Sequence, residues 1–319
     1  MVKLLNIREQ VHTPYFSEET IMNNADEEYR TAVNKVLRYG TRKPNRTGVD
    51  TISLFSVNYQ IDVRDSFPLL TTKEINFDHI VIEMLWFLSG RTNIEILQRF
   101  GIKFWDDWAD EDGKVPSAYG NFWRKFPVAN WTEPGFNDQI TWVIDEIKRN
   151  PMSRRLVVSA WYPANAQTSK LPPCHCMFIF NVQNDQRGNG RTLNLHLTQR
   201  SCDMALGVPY NIASYALLLN LVARFTDMKP GIFSHTLVDA HIYTCNKNGN
   251  KEEFDHIPGL QQQIGRQPRE SPKLIMSDEI KSLKDVEALM DITDRDEIMR
   301  HFQLKGYNPY PPVKFKVAV

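Results

Sequence analysis

The stretch Leu193-Asn194-Leu195-His196-Leu197-Thr198-Gln199-Arg200-Ser201-Cys202-Asp203, followed by Asn211-Ile212-Ala213-Ser214-Tyr215, carries the reading of the fold. Leu193, Leu195 and Leu197 alternate with Asn194, His196 and Thr198, the period of a strand with one buried face. From Asn211 the pattern changes. Ile212, Tyr215, Ala216, Leu219, Val222 and Ala223 recur at helical spacing, with Asn211 opening the helix and available as its N-cap. Phe233 to Tyr243 then reads as another strand.

Thr51 to Val57, Leu156 to Trp161 and Met177 to Val182 are further strand candidates. Helices are predicted for Tyr29 to Tyr39, stopped by Gly40, and for Phe77 to Leu88, stopped by Gly90. The second is apolar around most of its circumference, so most of it is buried. Residues 246–272 read as a polar connection. Residues 1–26 read as an irregular N-terminal extension, meeting the acidic patch Asp26-Glu27-Glu28, ahead of one folded domain over 27–319. Strands separated by buried helices, without regular strand–helix–strand alternation or internal repeats, point to a single α+β domain.

Composition narrows the function. The 38 basic and 38 acidic residues cancel, which argues against a general nucleic-acid or membrane-surface binder. Four cysteines in 319 residues do not make a disulfide framework and suit a reduced, cytoplasmic setting. The run Cys174-His175-Cys176 lacks the usual spacing of zinc ligands. Met1 to Arg8 has no apolar secretory core, and the greasiest helix, Ile212 to Phe225, is interrupted by Asn220 and Arg224 and too short to span a bilayer. A soluble enzyme is expected.

Two places carry chemistry. Leu171-Pro172-Pro173-Cys174-His175-Cys176 offers a thiol in a proline-stiffened turn, and Arg200 offers a positive charge to lower its pKa or to hold an anion through a planar fork. Glu83 lies on the apolar stripe of the Phe77–Leu88 helix, where burial raises a carboxyl pKa toward the range useful for proton transfer at pH 7. The competing reading for Glu83 is a structural ion pair with a buried arginine.

Further motifs, in chain order, are Asn45-Arg46-Thr47-Gly48, Phe67 to Lys73, Glu83 to Leu88, Trp105 to Asp110, Tyr119-Gly120 and Ser153-Arg154-Arg155. Leu171 to His175, Gln199 to Tyr215, Asp239 to Tyr243 and Val317-Ala318-Val319 complete the set. Together they closely resemble the thymidylate synthase family over roughly residues 27 to 319. The resemblance implies a mixed, twisted β-sheet packed against helices, with the sheet's back forming a homodimer interface. It implies reductive methylation of dUMP to dTMP, with 5,10-methylenetetrahydrofolate as one-carbon and hydride donor and no metal. Cys174 matches the nucleophile that adds to C6 of uracil, Glu83 the relay carboxylate, Tyr119 the phenol linked to C5 proton removal and Asn211 the reader of N3 and O4. Arg46, Arg200 and Ser201 match the phosphate site, Cys202 lies within that motif, and Arg154 and Arg155 match arginines supplied by the partner subunit. His241 and Tyr243 match ribose contacts, and Asp203 matches the carboxylate that holds the pterin and takes part in catalysis. Trp105, Trp108, Ala318 and Val319 match the folate-side wall and closing tail.

Asn76, Val238 and Ala205 depart from the family's frequent residues, and none of them is the nucleophile, relay or base reader. The nearest alternative is a dUMP hydroxymethylase on the same scaffold, in which water attacks the exocyclic methylene. Trp105 and the apolar tail favour water exclusion and methylation. A cysteine hydrolase built from Cys174 and His175 is geometrically poor, because adjacent residues in a strand face opposite ways. A non-enzymatic nucleotide or RNA binder would not need Cys174 and Glu83 together.

Overall fold

A computed structural model of the chain describes residues 25–128, 135–166, 168–185, 187–246 and 248–318. Its strands are β1 (Thr41–Lys43), β2 (Asp50–Asp62), β3 (Phe126–Val128), β4 (Gly135–Asn137), β5 (Val157–Ser159), β6 (His175–Asn184), β7 (Arg191–Gln199), β8 (Cys202–Asp203), β9 (Lys229–Thr244), β10 (Lys273–Met276) and β11 (Phe302–Lys305). The main sheet runs β1-β2-β9-β7-β6-β5, with β8 pairing β9, while β3–β4 and β10–β11 form separate two-stranded ribbons. β9 is the seam of this mixed sheet. It is antiparallel to β2 on one side and parallel to β7 and β8 on the other. Leu193, Leu195 and Leu197 are buried as their alternation requires, whereas Asn194, His196 and Thr198 are half-buried.

The helices are α1 (Ala25–Tyr39), α2 (Phe77–Ser89), α3 (Glu95–Arg99), α4 (Tyr119–Arg124), α5 (Gln139–Arg149), α6 (Gly207–Phe225), α7 (Ile257–Ile264), α8 (Leu283–Leu289) and α9 (Arg295–Met299). α6 packs on β7 and β9, and α2 packs on α6, α4 and α8. Asn76 caps α2 by accepting from the His79 N–H, and Gly90 ends it at φ 69°, a left-handed conformation that favours glycine. α4 lies against the backbone of α2. A Cβ on Gly120 would stand 2.1 Å from the Phe87 carbonyl oxygen, so only glycine permits this approach. The α2–α4 contact sets the spacing between Glu83 and Tyr119.

Three sequence expectations change. α1 begins at Ala25, ahead of the expected Tyr29, and Asp26 is buried and not part of a solvated patch. Each Asp26 carboxylate oxygen accepts from the backbone and hydroxyl of one threonine, Thr71 or Thr72. α6 begins at Gly207, so Asn211 lies inside the helix and is not its cap. Pro209, tolerated in a first helical turn, concealed that start. Residues 246–272 contain α7, with Leu260 buried, and are not wholly a polar connection. Among the described residues, no helix is long and apolar enough to cross a membrane.

Candidate active site

One cavity of about 790 Å³ opens where the ends of β7, β8 and β9 meet α2, α6 and the turn before β6. Its floor is built around Cys174. Arg200 N–H donates to the Cys174 carbonyl at 2.9 Å, while its guanidinium donates to the carbonyls of Pro172 and Pro173 at 2.6 and 3.0 Å. The arginine therefore ties down the proline turn as well as supplying charge. Burial pushes the Cys174 thiol above its ordinary pKa, and the Arg200 charge and a hydrogen bond from Tyr119 pull the other way without reversing it. Arg200, the expected candidate for lowering the Cys174 pKa, does lower it, but desolvation outweighs the arginine.

Glu83 reaches the same cavity from α2. Burial raises its carboxyl to about 7, and the hydrogen bond from Trp105 opposes the rise. The Trp105 indole N–H donates to Glu83 Oε1 at 2.7 Å. Among the described residues no ion pair involves Glu83, so the structural ion-pair reading does not hold. Trp105 is packed edge-on against Tyr119, and Tyr119 in turn lies 4.5 Å, ring to ring, from His175. Burial drives the His175 imidazole down to about 3, with hydrogen bonding by Asn211 acting the other way. A neutral imidazole packed among aromatic rings, with no hydrogen bond to the thiol among the described residues, does not serve Cys174 as a base.

Asn211 faces the cavity from α6, and its Oδ1 accepts from Gln199 Nε2 at 3.0 Å. Asp203 lines the wall beside it, with Oδ1 accepting from the Ala205 and Leu206 N–H groups at 2.8 and 3.2 Å. His241 and Tyr243 alternate along β9 and both reach the cavity, as their spacing predicts. Ser201 and Arg46 complete the polar side, the Arg46 guanidinium standing 5.7 Å from the Trp108 ring. Ala318 closes the rim; Val319 lies outside the described residues.

Cys202 lies elsewhere, and Arg154 and Arg155, expected at a partner's site, are outside this cavity. Cys202 is fully buried behind the wall, with its thiol donating to the Gln199 carbonyl at 3.3 Å, and burial pushes its pKa up strongly. On β8, adjacent to Ser201, it takes the inward side of the alternation. Arg154 and Arg155 are exposed between α5 and β5 and do not line this chain's cavity. Conversely, Gln199 was quoted in the motif without a role, and His175, Phe87 and Tyr210 line the cavity unforeseen. Gln199 had a readable signal: it ends a strand whose apolar face precedes it, so its amide must be buried among polar partners.

The arrangement brings a thiol, a carboxyl that titrates near neutrality, a carboxamide and two arginines to one enclosed space, which suits covalent chemistry on an anionic substrate. A family model described as thymidylate synthase matches residues 27–319. The chain is also similar to a curated thymidylate synthase of Haloferax volcanii, 39% identical in an alignment that covers 90% of this chain and 95% of that protein.

Proposed function

The chain belongs to the thymidylate synthase family, and on that premise we propose that it converts dUMP to dTMP with 5,10-methylenetetrahydrofolate, through a covalent bond between Cys174 and C6 of uracil. The carrying observation is that Cys174, Glu83 and Asn211, from three separate stretches of chain, line one cavity. Addition of the thiolate to C6 makes C5 a nucleophile and puts negative charge toward O4. Glu83, titrating near neutrality, handles protons on that side, and the Asn211 carboxamide reads N3 and O4. Tyr119 assists removal of the C5 proton. Arg46, Arg200 and Ser201 take the phosphate, and binding of that dianion draws on guanidiniums in the bidentate manner that suits them. His241 and Tyr243 contact the ribose. Asp203, Trp105, Trp108 and the tail through Ala318 and Val319 hold the folate, which supplies the one-carbon unit and the hydride.

The active form is proposed to be a cytoplasmic homodimer whose catalytic domain spans 27–319. Support comes from Arg154 and Arg155, which are exposed and free to reach a partner, and from Phe55, which is 81% exposed on the sheet. Incubation with dUMP and methylenetetrahydrofolate tests the reading. Rising dihydrofolate absorbance with dTMP by mass is the expected result. Release of 5-hydroxymethyl-dUMP with tetrahydrofolate would make the chain a hydroxymethylase instead.

A further inference from the structure

Behind Asn211 a line of buried side chains runs from the cavity wall across the sheet. Gln199 Nε2 donates both to Asn211 Oδ1 and to the Ser201 carbonyl, each at 3.0 Å. Gln199 Oε1 lies 3.0 Å from His235 Nε2, and His235 Nδ1 lies 2.7 Å from the Tyr59 hydroxyl. The register of β2 against β9 sets Tyr59 opposite His235, and His235 has no exposed surface.

One end of this line decides the direction of every bond in it. A backbone carbonyl only accepts, so the Gln199 group facing Ser201 is its N–H₂, and Oε1 faces His235. An amide oxygen also only accepts, so His235 carries its proton on Nε2. Burial drives the His235 pKa well below its ordinary value, so the ring is neutral and Nδ1 is bare. Tyr59 is then the donor to Nδ1. At the other end, Gln199 claims the oxygen of Asn211 and turns the N–H₂ of Asn211 away from itself.

This direction has a chemical meaning. Uracil presents a donor at N3 and an acceptor at C4, whereas cytosine presents an acceptor and a donor. A carboxamide rotated by half a turn reads cytosine as well as it reads uracil. Asparagine by itself therefore does not choose between the two bases; something behind it must hold its polarity. We propose that Tyr59 and His235 are positioning residues for base selection: by donating to Nδ1, Tyr59 reinforces the Nε2–H tautomer that the Ser201 carbonyl requires, and so strengthens, through Gln199, the hold on which end of Asn211 meets the pyrimidine. The inference rests on the reading of Asn211 as the base reader.

Nucleotide binding to the full-length protein tests it by calorimetry, using dUMP and dCMP separately. Wild type is expected to prefer dUMP. Tyr59→Phe is expected to lower the dCMP-to-dUMP ratio of dissociation constants by on the order of tenfold, the size of one lost buried hydrogen bond. Tyr29→Phe is the control, because the Tyr29 hydroxyl is equally buried but bonds to the Met204 carbonyl, outside the line. It should lower thermal stability and leave the ratio unchanged. An unchanged ratio in Tyr59→Phe, or an equal fall in Tyr29→Phe, would overturn the inference. Nitrogen NMR of wild-type protein gives a test that needs no variant: His235 should be protonated on Nε2, and protonation on Nδ1 refutes the line. A wild type that binds neither nucleotide would instead defeat the proposed function.

Discussion

The Trp105 indole donates to the Glu83 carboxyl across 2.7 Å, so the residue expected only as a folate-side wall also holds the carboxylate proposed as the relay. That bond favours the ionised form and opposes burial. Trp105→Phe should therefore raise the Glu83 pKa above about 7 and carry the alkaline limb of kcat upward with it. The pH profile of kcat, with saturating substrates, reads this directly. A limb that stays in place would assign it to a different group.

Glu83 also links stability to pH. Its folded-state pKa is raised from 4.5 to about 7, so the folded protein holds that proton more tightly than the unfolded chain. The resulting stability is fully present below pH 4.5 and is lost as pH rises through about 7. Glu83→Gln, which keeps the acceptor for Trp105 and never ionises, should gain on wild type by roughly 2–3 kcal/mol between pH 5 and pH 8. Urea unfolding at the two pH values measures the difference, while kcat should fall by about 10²-fold or more. An equal advantage at both pH values would mean that the carboxyl is not shifted.

The upward shift of Cys174 predicts its reactivity. Alkylation of the free enzyme by iodoacetamide should still be accelerating above pH 9, because the thiolate is scarce at neutral pH. Cys174→Ser should abolish turnover with dUMP binding kept, since the phosphate-side residues are untouched. Alanine at Cys176, Cys202 or Cys245 should leave most activity. Retained turnover in Cys174→Ser would remove this residue from the mechanism.

Arg154 and Arg155 are exposed and do not line the cavity of their own chain. Mixing inactive Cys174→Ser with inactive Arg155→Ala should restore part of the activity, because hybrid dimers then contain one site with both residues intact. Subunit exchange followed by mass spectrometry gives the hybrid fraction. Exchange without recovered activity would place the arginine's work within its own subunit.

The legible parts of this molecule were those governed by local pattern. Phe77 to Leu88 was readable as a helix because its apolar surface and the stop at Gly90 agree, and the Leu193–Leu197 alternation marked the buried face correctly. The misread parts depend on partners far away in the chain. Asp26 resembles a solvated acid until Thr71 and Thr72 supply its donors. Cys202 shares a motif with Ser201 but faces the core, and α7 is held by burial of Leu260 within a polar stretch. The Tyr59–His235 bond was invisible for the same reason, since only the β2–β9 register brings the two rings together.

That register also bears on how the chain reaches its native state. β2, at residues 50–62, pairs along its length with β9, at residues 229–244, so the central seam of the sheet joins segments made early and late. Closing so long a loop must precede any reward from the contacts, which slows folding and leaves strand edges bare meanwhile. A nascent chain that already carries Cys174 and Glu83 has an incomplete pocket until β9 has been synthesised and docked. Because Asp239, His241 and Tyr243 of β9 line the cavity, truncation before β9 is expected to give an aggregation-prone chain with an incomplete cavity wall.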